Sequence, residues 1–196
     1  MTDLDVALSV ALGVGLAAAT GFRVFLPMLM VSVAAYTGHL PPGENLAWLG
    51  TPQAVIMLGV AAFLEIVAYY IPVVDNLLDT LATPAAVVAG TLVSAAVMTD
   101  LPPMVKWTTA IIAGGGIAGV TQGVTALLRA KSTVLTAGAG NSVIATAELG
   151  GSLLLSLLAL AAPLIGLLVV VIFLWLGVRM MRKVQEANPP DKVKSQ

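Results

Sequence analysis

Residues 6–36 contain a single charged side chain, Arg23, in 31 positions. A helix crossing a bilayer needs ~20 mostly apolar residues. The stretch is therefore too long for one straight crossing, and Thr20-Gly21-Phe22-Arg23 interrupts its middle. Either one tilted helix breaks there or two segments meet. Further apolar stretches follow at about 52–71, 84–98, 107–128, 143–160 and 164–178. Charged residues make up 10% of the chain, against about 25% in a soluble domain. So little polar surface cannot coat a water-facing globule, and the lipid bilayer is the expected solvent. The sequence thus predicts an all-α, polytopic bundle of about six transmembrane helices. One domain covers residues 1–183, and residues 184–196 read as a disordered cytoplasmic tail.

Composition removes several function classes. Cysteine is absent and His39 is the one histidine, which excludes disulfides, thiolate and histidine-rich metal sites, and a cysteine nucleophile. A net charge of −1 leaves no basic face for nucleic acid. No cofactor is implied: the Walker A, G-x-S-x-G and H-E-x-x-H patterns do not occur. The opening Met1-Thr2-Asp3-Leu4-Asp5 lacks a basic n-region, so the first apolar stretch reads as retained. Arg129 and Lys131 fall between the fourth and fifth spans, and Arg179, Arg182, Lys183, Lys192 and Lys194 follow the sixth. By the positive-inside rule, six spans put both termini in the cytoplasm of a bacterial inner membrane. Lys106 is then the basic residue on the other side.

Two halves of the chain, about 5–99 and 104–183, resemble one another. Gly13, Ala17 and Gly21 form a small-residue stripe that recurs as Gly115, Gly119 and Gly123, offset by 102. Gly38 and Gly140 keep that offset, and Pro72 pairs with Pro163 at 91. Halves of three spans each make the expected repeat inverted, a transporter design with sites near broken helices. The same stripes suit close helix packing, within the chain or between copies of it.

Charge inside apolar stretches marks the candidate site. Arg23, Glu65 and Glu148 stand there, and such residues cost ~2.5 kcal/mol or more at the bilayer centre unless they pair. Seven residues separate Glu65 from Pro72, and Glu148 follows the start of the fifth span closely, so both carboxylates share a depth. Arg23 is the expected cation for one of them. Such a group suits an ion, a proton or a charged small molecule; equally, it suits a structural ion pair. The polar run from Ser132 to Ser142, with Ser132, Thr133, Thr136 and Asn141, reads as a loop that caps the next helix or lines a pore. Asp75 and Asp79 lie four apart on one helix face beside Pro72, a spacing that can hold a divalent cation. Trp48, Tyr69, Tyr70 and Trp107 read as an interfacial belt, Trp175 as lipid-facing or packed, and His39 as solvated.

Three blocks together carry a family resemblance. They are Gly21-Phe22-Arg23, Glu65 with Ile71-Pro72 and Asp75, and Ser132-Thr133 with Thr136, Gly138, Asn141 and Glu148. Over nearly its whole length the chain resembles a family of small bacterial membrane proteins known as a domain of unknown function. Family members often carry an Asp-Lys pair where Tyr69-Tyr70 stands, and proline where Ser142 stands. The resemblance implies no activity, but it singles out the residues already marked by charge.

The leading expectation is a small inner-membrane transport protein with an unidentified solute or ion as partner. Arg23, Glu65, Glu148 and Asn141 line its site, and Asp75 and Asp79 sit at the cytoplasmic mouth. The alternatives are a membrane enzyme acting on a lipid or isoprenoid pyrophosphate through Asp75 and Asp79, and a non-catalytic assembly subunit, held as a homo-oligomer by the glycine stripe.

Overall fold

Apolar runs satisfy their backbone internally by becoming helices, and the punctuation between them fixes where each begins. The computed structural model describes residues 2–99, 101–136 and 138–187, without the side chains of 44, 45, 72, 73, 75–77, 79 and 180–187. Seven helices form among the described residues: α1 Asp3–Thr20, α2 Phe25–Tyr36, α3 Pro52–Ala68, α4 Pro72–Val97, α5 Pro103–Thr136, α6 Asn141–Ala161 and α7 Pro163–Ala187. Four segments are long and apolar enough to cross a membrane: Asp3–Thr20, Thr80–Val97, Pro103–Thr136 and Asn141–Ala161.

Proline starts four of these helices. Pro52, Pro72, Pro103 and Pro163 each occupy the first helical position, where the missing N–H costs nothing. Thr51 adds a side-chain cap to α3, its hydroxyl accepting from the Ala54 amide at 3.2 Å. Gly38 (φ +78) and Gly138 (φ +88) take the left-handed conformation in the turns after α2 and α5, which glycine adopts without strain.

Side-chain neighbours give each helix its direction. Gly13 lies against Ser94 and Met98 while Thr20 lies at Gly90, so α1 and α4 are antiparallel. Val24 meets Glu65, Ser32 donates to the Leu49 carbonyl and Gly43 donates to Ala96. That makes α2 antiparallel to α3 and parallel to α4, so the chain reverses between Thr20 and Phe25. Gly15 abuts Ala159 and Ser152 donates to the Ala19 carbonyl at 3.1 Å, setting α6 against α1. Gly166 lies on Ala159 while Phe173 packs on Phe22, so α7 runs parallel to α1. Direction alternates through all seven helices.

The centre of the bundle is α1. From Gly13 to Thr20 every residue is buried, and α1 packs against α2, α4, α5, α6 and α7. Its Ala- and Gly-rich surface lets neighbours come close. Ser94 on α4 donates to the Gly13 carbonyl at 2.9 Å. The tightest crossing joins α4 to a π-helical segment of α5, Ala110–Gly115. Its wider turn sets Gly114 against Gly90 and Ser94, and Gly115 against Thr91 and Val87.

Several expectations change. The first apolar region is two antiparallel helices, so seven helices stand where about six were expected, and Asp3 and Ala187 lie at opposite ends of the bundle. The 102-residue offset relates α1 to α5, which run in the same direction (Gly13 is level with Gly114 and Gly21 with Thr121), so that match is not an inverted relation. Helix α4 starts at Pro72 and passes through Pro84 rather than starting there. The segment Ser132–Thr136 is helical, not loop. Helix α7 runs on to Ala187, so 184–187 are helical; 188–196 lie outside the described residues. Of the expected packing positions, Gly13, Ala17, Gly21 and Gly115 are tightly enclosed and Gly119 meets only the Val87 side chain, while nothing lies within 4 Å of a side chain built on Gly123.

Gly114→Ala puts a methyl group 2.8 Å from the Gly90 carbonyl, a backbone atom that cannot swing away. It should destabilise the bundle by about 1–3 kcal/mol, read as a lower midpoint in denaturant titrations of the purified protein. Gly123→Ala should leave the midpoint unchanged.

Candidate functional site

The reversal after α1 leaves the first amides of α2 without helical partners. Pro27 lacks one, and Glu65 takes two. Its Oε1 accepts from the Val24 amide at 2.7 Å and its Oε2 from the Phe25 amide at 3.0 Å. A carboxylate at a helix N-terminus also meets the positive end of the helix dipole. Glu65 thus serves as a cap donated by another helix, and its carboxylate is committed to α2.

One turn further along α3, on the same face, stands Tyr69. Two guanidinium groups pack on its ring, with the Arg23 carbon 3.9 Å from the ring centroid and that of Arg129 4.1 Å away. Both cations converge on Glu148 of α6. Arg129 Nε donates to Glu148 Oε1 at 3.0 Å while Arg129 Nη2 donates to Oε2, a bidentate pair. Arg23 Nη2 stands 3.7 Å from Glu148 Oε2 and donates to the Ala145 carbonyl at 2.8 Å. Arg23, Arg129 and Glu148 are each at most 4% exposed. The remaining Arg23 donors, Nε and Nη1, are buried and have no hydrogen-bond partner among the described residues.

Asn141 and Glu148 lie on the buried face of α6 with Ala145 and Ser152 between and beyond them, Asn141 being ~10 Å nearer the helix start. Gly140, not Asn141 or Ser142, caps α6. Instead, Asn141 Nδ2 donates to Thr133 Oγ1 at 3.1 Å, tying α6 to the last turns of α5. The Thr136 hydroxyl accepts from the Gly140 amide at 2.9 Å and donates to the Ser132 carbonyl at 2.7 Å. These three hydroxyl residues hold the α5–α6 turn. The side chains of Asp75 and Asp79 lie outside the described residues.

The sequence reading missed two members of the cluster. Arg129 looked like a loop residue, yet α5 carries it into the core at 2% exposure. A signal was there: Gln122, Thr125 and Arg129 recur at helical spacing, and all are buried. Tyr69 looked interfacial but is buried; nothing in its immediate sequence distinguishes it from exposed Tyr70. Trp48 and Trp175 are exposed, as is His39.

Beside the cluster, a half-open cavity of about 400 Å³ lies between α2, α3 and α4. Phe25, Leu64, Leu81 and Ala85 line it, and Glu65 and Tyr69 form its inner end.

The chain matches the family described as Domain of unknown function (DUF4126) over residues 10–183. It belongs to that family. No curated protein and no solved structure matches it.

Glu148 is shared by two buried cations, so removing it takes a carboxylate from both. Glu148→Gln should cost about 3–5 kcal/mol, as breaking a buried pair does. Glu65→Gln keeps one amide acceptor and should cost ~1–3 kcal/mol. In a double-mutant cycle, Arg129→Ala and Glu148→Ala should be non-additive by roughly 0.5–3 kcal/mol. Additive losses in a denaturant titration would contradict the shared pair.

Proposed function

We propose that the protein is a small transport protein of the bacterial inner membrane, with its solute or ion passing the Arg23–Glu148–Arg129 cluster. One observation carries this reading: Arg23 is enclosed, yet two of its nitrogens have no acceptor among the described residues. An unsatisfied buried donor costs ~1–3 kcal/mol, more when charged, and a passing ligand with an acceptor group relieves that cost. The outward faces support a lipid setting, since Ile56, Ile112, Val143 and Leu154 are all more than 65% exposed. Ionisable groups inside such a bundle mark ion or substrate pathways by default.

The helix directions also support a revised inverted repeat, with α2–α4 set against α5–α7 and α1 running between them. In that register α4 and α7, which open with Pro72 and Pro163, run in opposite senses. The basic residues favour the end of the bundle holding Arg129, Lys131 and Arg179 as the cytoplasmic face. The C-terminus is then cytoplasmic and the N-terminus lies across the membrane.

Two measurements test this. The chain has no cysteine, so single cysteines map sidedness cleanly. Thr2→Cys should react with an impermeant maleimide in spheroplasts, and Arg179→Cys only after permeabilisation; the reverse pattern contradicts the orientation. In proteoliposomes, proton flux and osmotic swelling against a panel of small solutes should reveal at least one permeation that Arg23→Gln and Glu148→Gln abolish. Equal rates in wild type and both variants for every probe would remove the cluster from any pathway.

A further inference from the structure

At the end of the bundle opposite the arginine cluster, a cavity of about 440 Å³ opens among Pro41, Pro42, Gly43, Thr99, Pro103 and Lys106. Lys106 is 7% exposed. A lysine at the end of a membrane helix ordinarily extends its amine to the interface and remains accessible. The Lys106 side chain instead folds into the protein with its amine at the cavity, and it makes no hydrogen bond or ion pair to any described residue.

The surroundings keep that amine available. Gly43 lies opposite it: a Cβ built there would come to 3.6 Å from Lys106 Nζ and 3.9 Å from Thr99 Cγ2. Any larger side chain at 43 would fill the space in front of the amine. The Gly43 backbone is held in place by its amide, which donates to the Ala96 carbonyl at 3.2 Å. Its φ of −57 is open to any residue, so the absent side chain is not demanded by the backbone. Three prolines fix the walls with rigid φ angles, and Lys106 itself sits on the first turn of α5.

We infer that this cavity is a binding site for a small oxyanion, a phosphate or carboxylate group, held by Lys106 against the Gly43 floor. A lone ammonium with three donors suits phosphate or carboxylate as a point charge. The group comes either from a free solute or from the headgroup of an anionic lipid at the bilayer surface. The site is separate from the arginine cluster and does not depend on the transport reading.

The test uses purified full-length protein. Inorganic phosphate and acetate are titrated separately, following Trp107 fluorescence and the thermal midpoint. Phosphatidylglycerol retained per chain through detergent exchange is measured in parallel. Three variants are compared with wild type: Lys106→Gln removes the charge, Gly43→Leu fills the cavity but keeps it, and Lys106→Arg restores it. If the ligand is a free solute, phosphate or acetate stabilises wild type, and affinity falls about tenfold or more in Lys106→Gln and Gly43→Leu, as loss of one charged hydrogen bond implies. If it is a headgroup, free anions have no effect, but retained phosphatidylglycerol falls in the same two variants. In either case Lys106→Arg recovers part of the binding. Equal behaviour of wild type, Lys106→Gln and Gly43→Leu towards all three probes overturns the assignment, and so does loss in Lys106→Gln with full binding in Gly43→Leu.

Discussion

A chain that reverses inside an apolar surround must satisfy the backbone amides it exposes there. Between Thr20 and Phe25 the tight turns consume the amides of Gly21, Phe22 and Arg23, which donate to Ala18 and Ala19 carbonyls. The next two, of Val24 and Phe25, belong to the start of a new helix and have nothing local to bond. Glu65 supplies both acceptors from 40 residues away. That one carboxylate fixes where α2 starts, sets α3 alongside it, and brings Tyr69 beneath Arg23. Without it the reversal leaves two buried donors unmet, and the arginine cluster loses its aromatic floor.

Within the cluster one carboxylate is shared. Two cations meet Glu148 beside a single tyrosine ring, while Glu65 accepts from two backbone amides. Pairing Arg23 with one of two glutamates at a shared depth therefore gives only half of the arrangement. A guanidinium on an aromatic face gains ~0.5–2 kcal/mol, which helps Tyr69 hold Arg23 and Arg129 at close quarters despite their like charge.

Much of the fold was legible because lipid-scale helices need long apolar runs and proline marks their starts. The starts at Pro52 and Pro163 could be read nearly to the residue. The reversal at Thr20–Arg23 could be located but not resolved, because a kink and a turn use the same small residues; the deciding partner, Glu65, lies outside the local sequence. Arg129 was hidden for a different reason. Its neighbour Lys131 is exposed, and two basic residues so close together look like a loop until the buried face of α5 is traced through Gln122 and Thr125. The packing glycines divided the same way: Gly115 meets α4, but Gly123, on the same stripe, lies beyond the crossing because the π-helical segment turns Gly114 inward.

The central position of α1 bears on how the molecule is made. Being first in the chain, α1 leaves the ribosome before any of the helices that will enclose it. On the membrane reading it must reside in lipid alone and later exchange lipid for protein on every side. Alanine and glycine meet both demands: apolar enough for the first environment, and slim enough to be surrounded in the second. The one strongly polar group at its end, Arg23, meets the Glu148 carboxylate only when α6 has been synthesised, so the charge cluster cannot close until most of the bundle has been made.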